Sequence, residues 1–241
     1  MDETATRLAN VKERLRTIAQ RLGRDPASVR LLAVSKTHPP ERIAALHALG
    51  VKEFGENYAQ ELARKEATLG YLGVRFVFIG TLQSNKIPLI VKHASEIQSV
   101  ASLRHAQMIA KEASRLGKTP YPVYILVNAG DEATKSGVAR GEVLPLARAI
   151  QESCPELALE GLMAIPPPLE PHGEEEAPPK PLAPTLYLDL RNLASQVGRG
   201  LLSLGMSDDL EEAMAAGSDC VRIGTALFGP RSTKAESPIS P

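Results

Sequence analysis

Short apolar runs alternate with amphipathic helical patterns along most of this chain, and that alternation restricts the fold more than any single residue does. Runs with strand character lie at 31–35, 52–55, 75–79, 96–100, 122–128, 159–165, 201–206 and 219–223. Helical patterns begin near Pro40, Glu56, Lys86, Ser102, Arg140, Thr185 and Ser207. A helix between two strands carries the chain back to the edge where it started, so such strands lie parallel in one sheet. Eight strands in 241 residues fit an α/β fold of the (β/α)8 TIM-barrel type, which takes about 250 residues. A doubly wound sheet is the alternative, because strand order cannot be read from one sequence. Ahead of the first strand, Leu8, Val11, Leu15, Ile18 and Leu22 recur at spacings of three and four, which predicts an extra N-terminal helix closed near Gly23.

A content of 43% hydrophobic residues supplies a core for one domain, expected to span residues 1–230. Residues 231–241 are small, polar and proline-containing, and predict a disordered tail. The stretch 166–184 gathers Pro166, Pro167, Pro168, Pro171, Pro178, Pro179, Pro181 and Pro184 around Glu174, Glu175 and Glu176. Such a composition buries too little apolar surface to fold by itself, and predicts a flexible loop that is either a lid or an uninvolved insertion.

Lys plus Arg and Asp plus Glu both number 28, so the net charge is zero. That balance gives no long-range attraction for nucleic acid or for an acidic membrane surface. No apolar stretch reaches the roughly 18 residues of a membrane span, and the charged N-terminus lacks a signal-peptide core. The expectation is a cytoplasmic protein. Cys154 and Cys220 have neither the number nor the spacing of a disulfide framework or zinc site, and read as buried reduced thiols. His38, His47, His93, His105 and His172 form no metal-ligand spacing, so no metal site is expected.

The chemistry is expected at the ends of the strands. Lys36 closes the first apolar run, and an amine there can form a Schiff base with a carbonyl cofactor or substrate if its surroundings lower its pKa from about 10.4. The ordinary reading of such a lysine is a solvated head. His38 beside it is a base or a solvent contact. In a barrel the loops after the last two strands hold phosphate. Here they offer the hydroxyls of Ser207 and Thr225 and the amides of Gly224 and Thr225. Ser207 also reads as a helix N-cap, with Asp208 and Asp209 in the first turn. Lys135 follows the fifth strand and is either a second rim amine or a solvated lysine. Glu56 and Glu61 read as helix-start and helix-face carboxylates.

Five segments together resemble the pyridoxal phosphate homeostasis protein family: Ala33-Val34-Ser35-Lys36-Thr37, Phe54-Gly55-Glu56-Asn57-Tyr58, Phe78 to Lys86, Gly205-Met206-Ser207-Asp208-Asp209, and Val221 to Gly229. The resemblance implies a barrel like the N-terminal domain of alanine racemase, carrying pyridoxal 5'-phosphate (PLP). It implies that Lys36 is the Schiff-base lysine and that Ser207, Gly224 and Thr225 hold the phosphate. It also implies that Arg222 faces the pyridine nitrogen and that Asn57 lies on the same rim. Ala133-Thr134-Lys135-Ser136-Gly137 is similar to a further motif of the family. The chain departs from the family in having Gly73-Val74-Arg75 before the third strand with no tryptophan anywhere, and a longer proline-rich loop.

The implied function is PLP homeostasis: holding the cofactor and supplying it to PLP-dependent apoenzymes, with no catalytic residue. A racemase needs a second base opposite the lysine, and none follows Lys36; an arginine at the ring nitrogen also weakens the electron sink. The alternatives are a low-activity PLP-dependent amino-acid racemase and a cofactor-free Schiff-base aldolase acting on a phosphorylated sugar. The chain ends where a racemase's second domain would begin, so a monomer is expected.

Overall fold

The structure, a computed structural model, describes residues 3–130, 136–168 and 183–230. Lys135, His172, most of the proline-rich loop and the 231–241 tail lie outside the described residues. The strands are β1 (Arg30–Val34), β2 (Glu53–Glu56), β3 (Arg75–Phe78), β4 (Glu96–Val100), β5 (Tyr121–Asn128), β6 (Val138–Ala139), β7 (Leu157–Ala164), β8 (Leu201–Ser203) and β9 (Cys220–Ile223). The helices are α1 (Glu3–Arg21), α2 (Pro40–Ala48), α3 (Ala59–Leu69), α4 (Ile87–His93), α5 (Leu103–Arg115), α6 (Val143–Ser153), α7 (Thr185–Ala194), α8 (Leu210–Ala215) and α9 (Thr225–Phe228).

All pairings are parallel, and eight strands close on themselves. β1 pairs with β9 from Arg30↔Cys220 to Ala33↔Ile223, and with β2 through Val34↔Gly55. The doubly wound alternative is thereby removed, because a closed ring has no edge strands. Two-residue β6 hangs on β5 outside the ring and was not predicted from the sequence.

The eight strands of the ring bury both faces over most of their length, which is why the runs are nearly continuously apolar. Ala33, Phe54, Phe76 and Ile223 pack toward the helices in one large core. Leu32, Val77 and Cys220 form a smaller cluster inside the ring, and Tyr124, Leu126 and Met163 a second. Cys154 and Cys220 are both free and buried. Helix α1 buries Leu8, Val11, Leu15 and Ile18, and Gly23 ends its last turn at φ +66°, where a side chain would be strained. None of the described helices is long and apolar enough to cross a membrane.

A polar thread crosses the ring interior. Arg30 bridges Glu53 at 2.5 Å and Glu96 at 2.9 Å near the N-terminal ends of the strands. Gln98 donates to Glu96 at 2.6 Å, Ser203 donates to Gln98 at 2.8 Å, and Arg222 donates to Ser203 Oγ at 2.9 Å. These bonds link groups along β4 and across the ring and offset much of their desolvation, while one Arg30 guanidinium nitrogen stays buried without a partner among the described residues.

Candidate functional site

Four consecutive strands of the ring, β8, β9, β1 and β2, carry the candidate residues at their C-terminal ends. Ser207 follows β8; Arg222 lies in β9, with Gly224 and Thr225 just beyond; Lys36 follows β1; Asn57 follows β2. The parallel register therefore brings residues up to 189 positions apart to one rim, the end at which barrels of this type carry their chemistry.

Lys36 is half-buried, and its amine makes no hydrogen bond or ion pair among the described residues. The peptide groups on either side are held. Lys65 of α3, 3% exposed, donates to the Ser35 carbonyl at 2.7 Å and to Glu56 Oε1 at 2.6 Å, and forms an ion pair with Glu61 Oε1 at 2.7 Å. The Thr37 amide donates to Glu61 at 2.7 Å, and the Ser35 hydroxyl to Glu56 at 2.5 Å. Thr37 itself sits at φ +66°, in the left-handed region. Glu56 is fully buried, and burial pushes its carboxyl up to about 7 against the opposing pull of Lys65 and Ser35.

This corrects the helix-start reading of Glu56. The residue ends β2, pairing opposite Phe78, and α3 begins only at Ala59. Glu61 does lie on a helix, but its face is turned to the β1 turn. Lys65 was missed altogether. The available signal was its spacing of four from Glu61, which places both on one helix face.

His38 is also not a plain solvent contact: its ring stacks on Phe228 with centroids 4.6 Å apart and planes 13° apart. Arg42 of α2 donates to the Phe228 carbonyl, so the turn bearing Lys36 and the helix that follows it are both fastened to Phe228 of α9. Gly224 lies close against β1, since a Cβ there would stand 3.4 Å from the Val34 carbonyl oxygen.

Arg222 is 4% exposed and donates to the carbonyls of Ser203 at 2.7 Å and Ala164 at 2.8 Å, as well as to the Ser203 hydroxyl. Burial pulls its pKa down, opposed by Cys220, Asp209 and Tyr187, yet a guanidinium starts so high that it keeps its charge. Ser207 is not the cap of α8, whose N-cap is Asp209. Asp209 instead accepts from the Met206 amide and the Tyr187 hydroxyl, each at 2.6 Å, and Arg14 holds the Ser207 carbonyl at 2.9 Å. The Ser207 side chain is thus released from capping duty.

Asn57 Oδ1 is buried without a hydrogen-bond partner among the described residues. Its backbone runs so close to Gly80 that a Cβ there would fall 2.0 Å from the Asn57 carbonyl oxygen. Asn57, Tyr58, Thr81, Gln83 and Lys86 line a rim cavity of about 360 Å3. No cluster of three or more His, Cys, Asp or Glu suited to a metal occurs among the described residues.

A closed parallel α/β barrel with a half-buried lysine and small polar loops on one rim defines a barrel built to hold a small phosphorylated or carbonyl-bearing group. The alanine racemase N-terminal domain family matches residues 6–232. An alanine racemase from Corynebacterium glutamicum shares the fold at a TM-score of 0.62 and 16% identity, covering 97% of this chain and 64% of that one. Among curated proteins, the pyridoxal phosphate homeostasis protein of Pseudomonas aeruginosa is 43% identical over 96% of this chain and 97% of its own length. The Escherichia coli K12 protein of the same name is 40% identical over 96% and 98%. PipY of Synechococcus elongatus, solved with PLP bound, superposes at a TM-score of 0.71 with 30% identity, covering 94% of this chain and all of that one. This chain belongs to the pyridoxal phosphate homeostasis protein family.

Proposed function

We propose that this protein holds pyridoxal 5'-phosphate on the β8–β9–β1–β2 rim and acts in PLP homeostasis, supplying the cofactor to PLP-dependent apoenzymes without turning over a substrate itself. The observation that carries this reading is the Lys36 amine: half-buried, unpaired among the described residues, and between the Asn57 loop and the Gly224-Thr225 turn. The rim fits the group. Gly224 presents bare backbone, the first amides of a helix lack intrahelical partners, and Ser207 is not used as a cap. In this reading Lys36 makes the covalent link, Ser207, Gly224 and Thr225 hold the phosphate, and Asn57 uses its unpartnered oxygen on the rim.

When bound, PLP supplies an aldehyde and a conjugated ring able to take up electrons. Arg222, tethered to β7 and β8 and permanently charged, disfavours a proton on a ring nitrogen it faces. Tyr187 offers no base, because its hydroxyl is committed to Asp209 and burial raises its pKa. The curated relatives named above are called homeostasis proteins rather than racemases. Residues 1–230 form one cofactor-binding domain in this reading, and the protein works as a cytoplasmic monomer.

A low-activity racemase is the second reading, favoured by one residue: Tyr58, 56% exposed, lines the rim cavity beside Asn57. The test is direct. PLP-loaded protein should reactivate a PLP-dependent apoenzyme in the presence of a scavenger of free PLP, and should not racemise alanine above free PLP. Racemisation abolished by Tyr58→Phe would establish the second reading instead.

A further inference from the structure

We infer that Glu61 and Lys65 are positioning residues for Lys36: by gripping the peptide groups before and after it, they hold the amine where it meets the cofactor aldehyde. The inference rests on the PLP reading above and adds to it the residues that set the covalent bond.

The Lys65 ammonium makes three contacts, donating to the Ser35 carbonyl and to Glu56 and forming an ion pair with Glu61. One of the three lands on the peptide immediately before Lys36. Glu61 in turn accepts the amide of Thr37, immediately after Lys36. Residue 36 is thus bracketed by one network whose members come from β1, β2 and α3. The bracket has strain to hold, since Thr37 is a β-branched residue at φ +66°, a conformation that persists only where its surroundings enforce it. The amide-to-carboxylate bond from Thr37 to Glu61 is charge-assisted and located at the strained residue itself.

The network reaches no described atom of the Lys36 side chain. Its effect is therefore on direction, through the backbone. Lys36 condenses with an aldehyde by forming a carbon–nitrogen double bond, while the aldehyde oxygen leaves as water with the two protons of the neutral amine. Forming that bond requires the amine to stand at one point relative to a phosphate held elsewhere on the rim, and small misplacements are costly. A loosened turn should weaken the covalent link while leaving phosphate recognition intact.

The experiment compares two ligands. PLP can react with Lys36, whereas pyridoxine 5'-phosphate carries an alcohol in place of the aldehyde and cannot. Glu61→Ala should lower the preference for PLP over pyridoxine 5'-phosphate about tenfold, with binding of the alcohol unchanged. Glu61→Gln retains a carbonyl oxygen for the Thr37 amide and should keep most of the preference. In the cofactor-free protein, hydrogen exchange at the Thr37 amide should accelerate in Glu61→Ala and not in Glu61→Gln. Lys65→Met should lose the preference as Glu61→Ala does; should it fail to fold, the Glu61 pair decides alone. An unchanged preference in Glu61→Ala, or an equal loss for both ligands, would overturn the inference. A wild type that does not distinguish the ligands would overturn the PLP reading, and this inference with it.

Discussion

Arg222 donates to the hydroxyl of Ser203 at 2.9 Å, and that hydroxyl donates onward to Gln98, so among the described residues this buried cation is fixed by hydrogen bonds to the barrel wall rather than by an ion pair with a carboxylate. Its other donors go to the carbonyls at the ends of β7 and β8. Replacing Arg222 with leucine strips those acceptors of their donors in a dry interior. The expected cost is about 2–4 kcal/mol, read as a shift in the urea unfolding midpoint with unchanged slope. A shift below about 1 kcal/mol would mean that water takes over the acceptors.

Arg222→Glu tests the same residue through the cofactor. A carboxylate favours a protonated ring nitrogen where a guanidinium opposes it, so the visible band of PLP-loaded protein should move. Racemase turnover should stay at the level of free PLP, because no second base has been added. An unmoved band would place Arg222 away from the ring.

The phosphate loops give a graded expectation. A hydrogen bond to a charged group contributes about 1.5–3 kcal/mol, so Ser207→Ala or Thr225→Val should weaken PLP binding roughly ten- to a hundredfold. Pyridoxal, lacking the phosphate, should lose more than either variant. Equal affinity for PLP and pyridoxal would remove these residues from phosphate binding.

Glu56 makes stability depend on pH. The folded protein keeps the Glu56 proton up to about pH 7, whereas an exposed carboxyl releases it near 4.5. The folded state therefore binds more protons in that window, so this contribution is full below about pH 4.5 and is lost as the pH rises through 7. Its size is on the order of 3 kcal/mol. Unfolding of wild type and Glu56→Gln between pH 4 and 8 should give curves that diverge, with only the wild type losing this contribution. Parallel curves would show that Glu56 is ionised throughout.

Gly80→Ala should be poorly tolerated, since the added carbon meets the Asn57 backbone rather than a movable side chain. Overpacking of this kind costs about 1–3 kcal/mol, and here it also displaces Asn57 from the rim. Thermal unfolding and PLP affinity should fall together; a neutral substitution would show that the Asn57 loop can yield.

The eight barrel strands were legible because burial on both faces leaves a run of apolar residues that needs no knowledge of partners. Lys36, Ser207, Gly224 and Thr225 could be nominated because they sit at or next to the ends of such runs, whereas Asn57 and Arg222 were named only by the resemblance to the family. What stayed hidden is carried by long-range pairs. Glu56 looked like a helix start, since a carboxylate at a strand end is rarely buried; it is tolerated there because Lys65, nine residues on, meets it inside. The stacking of His38 on Phe228 joins positions with no local pattern in common. β6, two residues long, has no periodicity to detect.

The central claim, a covalent cofactor on Lys36, is tested most directly by borohydride reduction of PLP-loaded protein followed by peptide mapping. The PLP-loaded protein should show a visible absorption band that disappears on reduction, with the label recovered on Lys36. Lys36→Ala should take up no label while still binding pyridoxine 5'-phosphate. Recovery of the label on Lys135 or any other lysine, or a wild type with no visible band at saturating PLP, would contradict the claim.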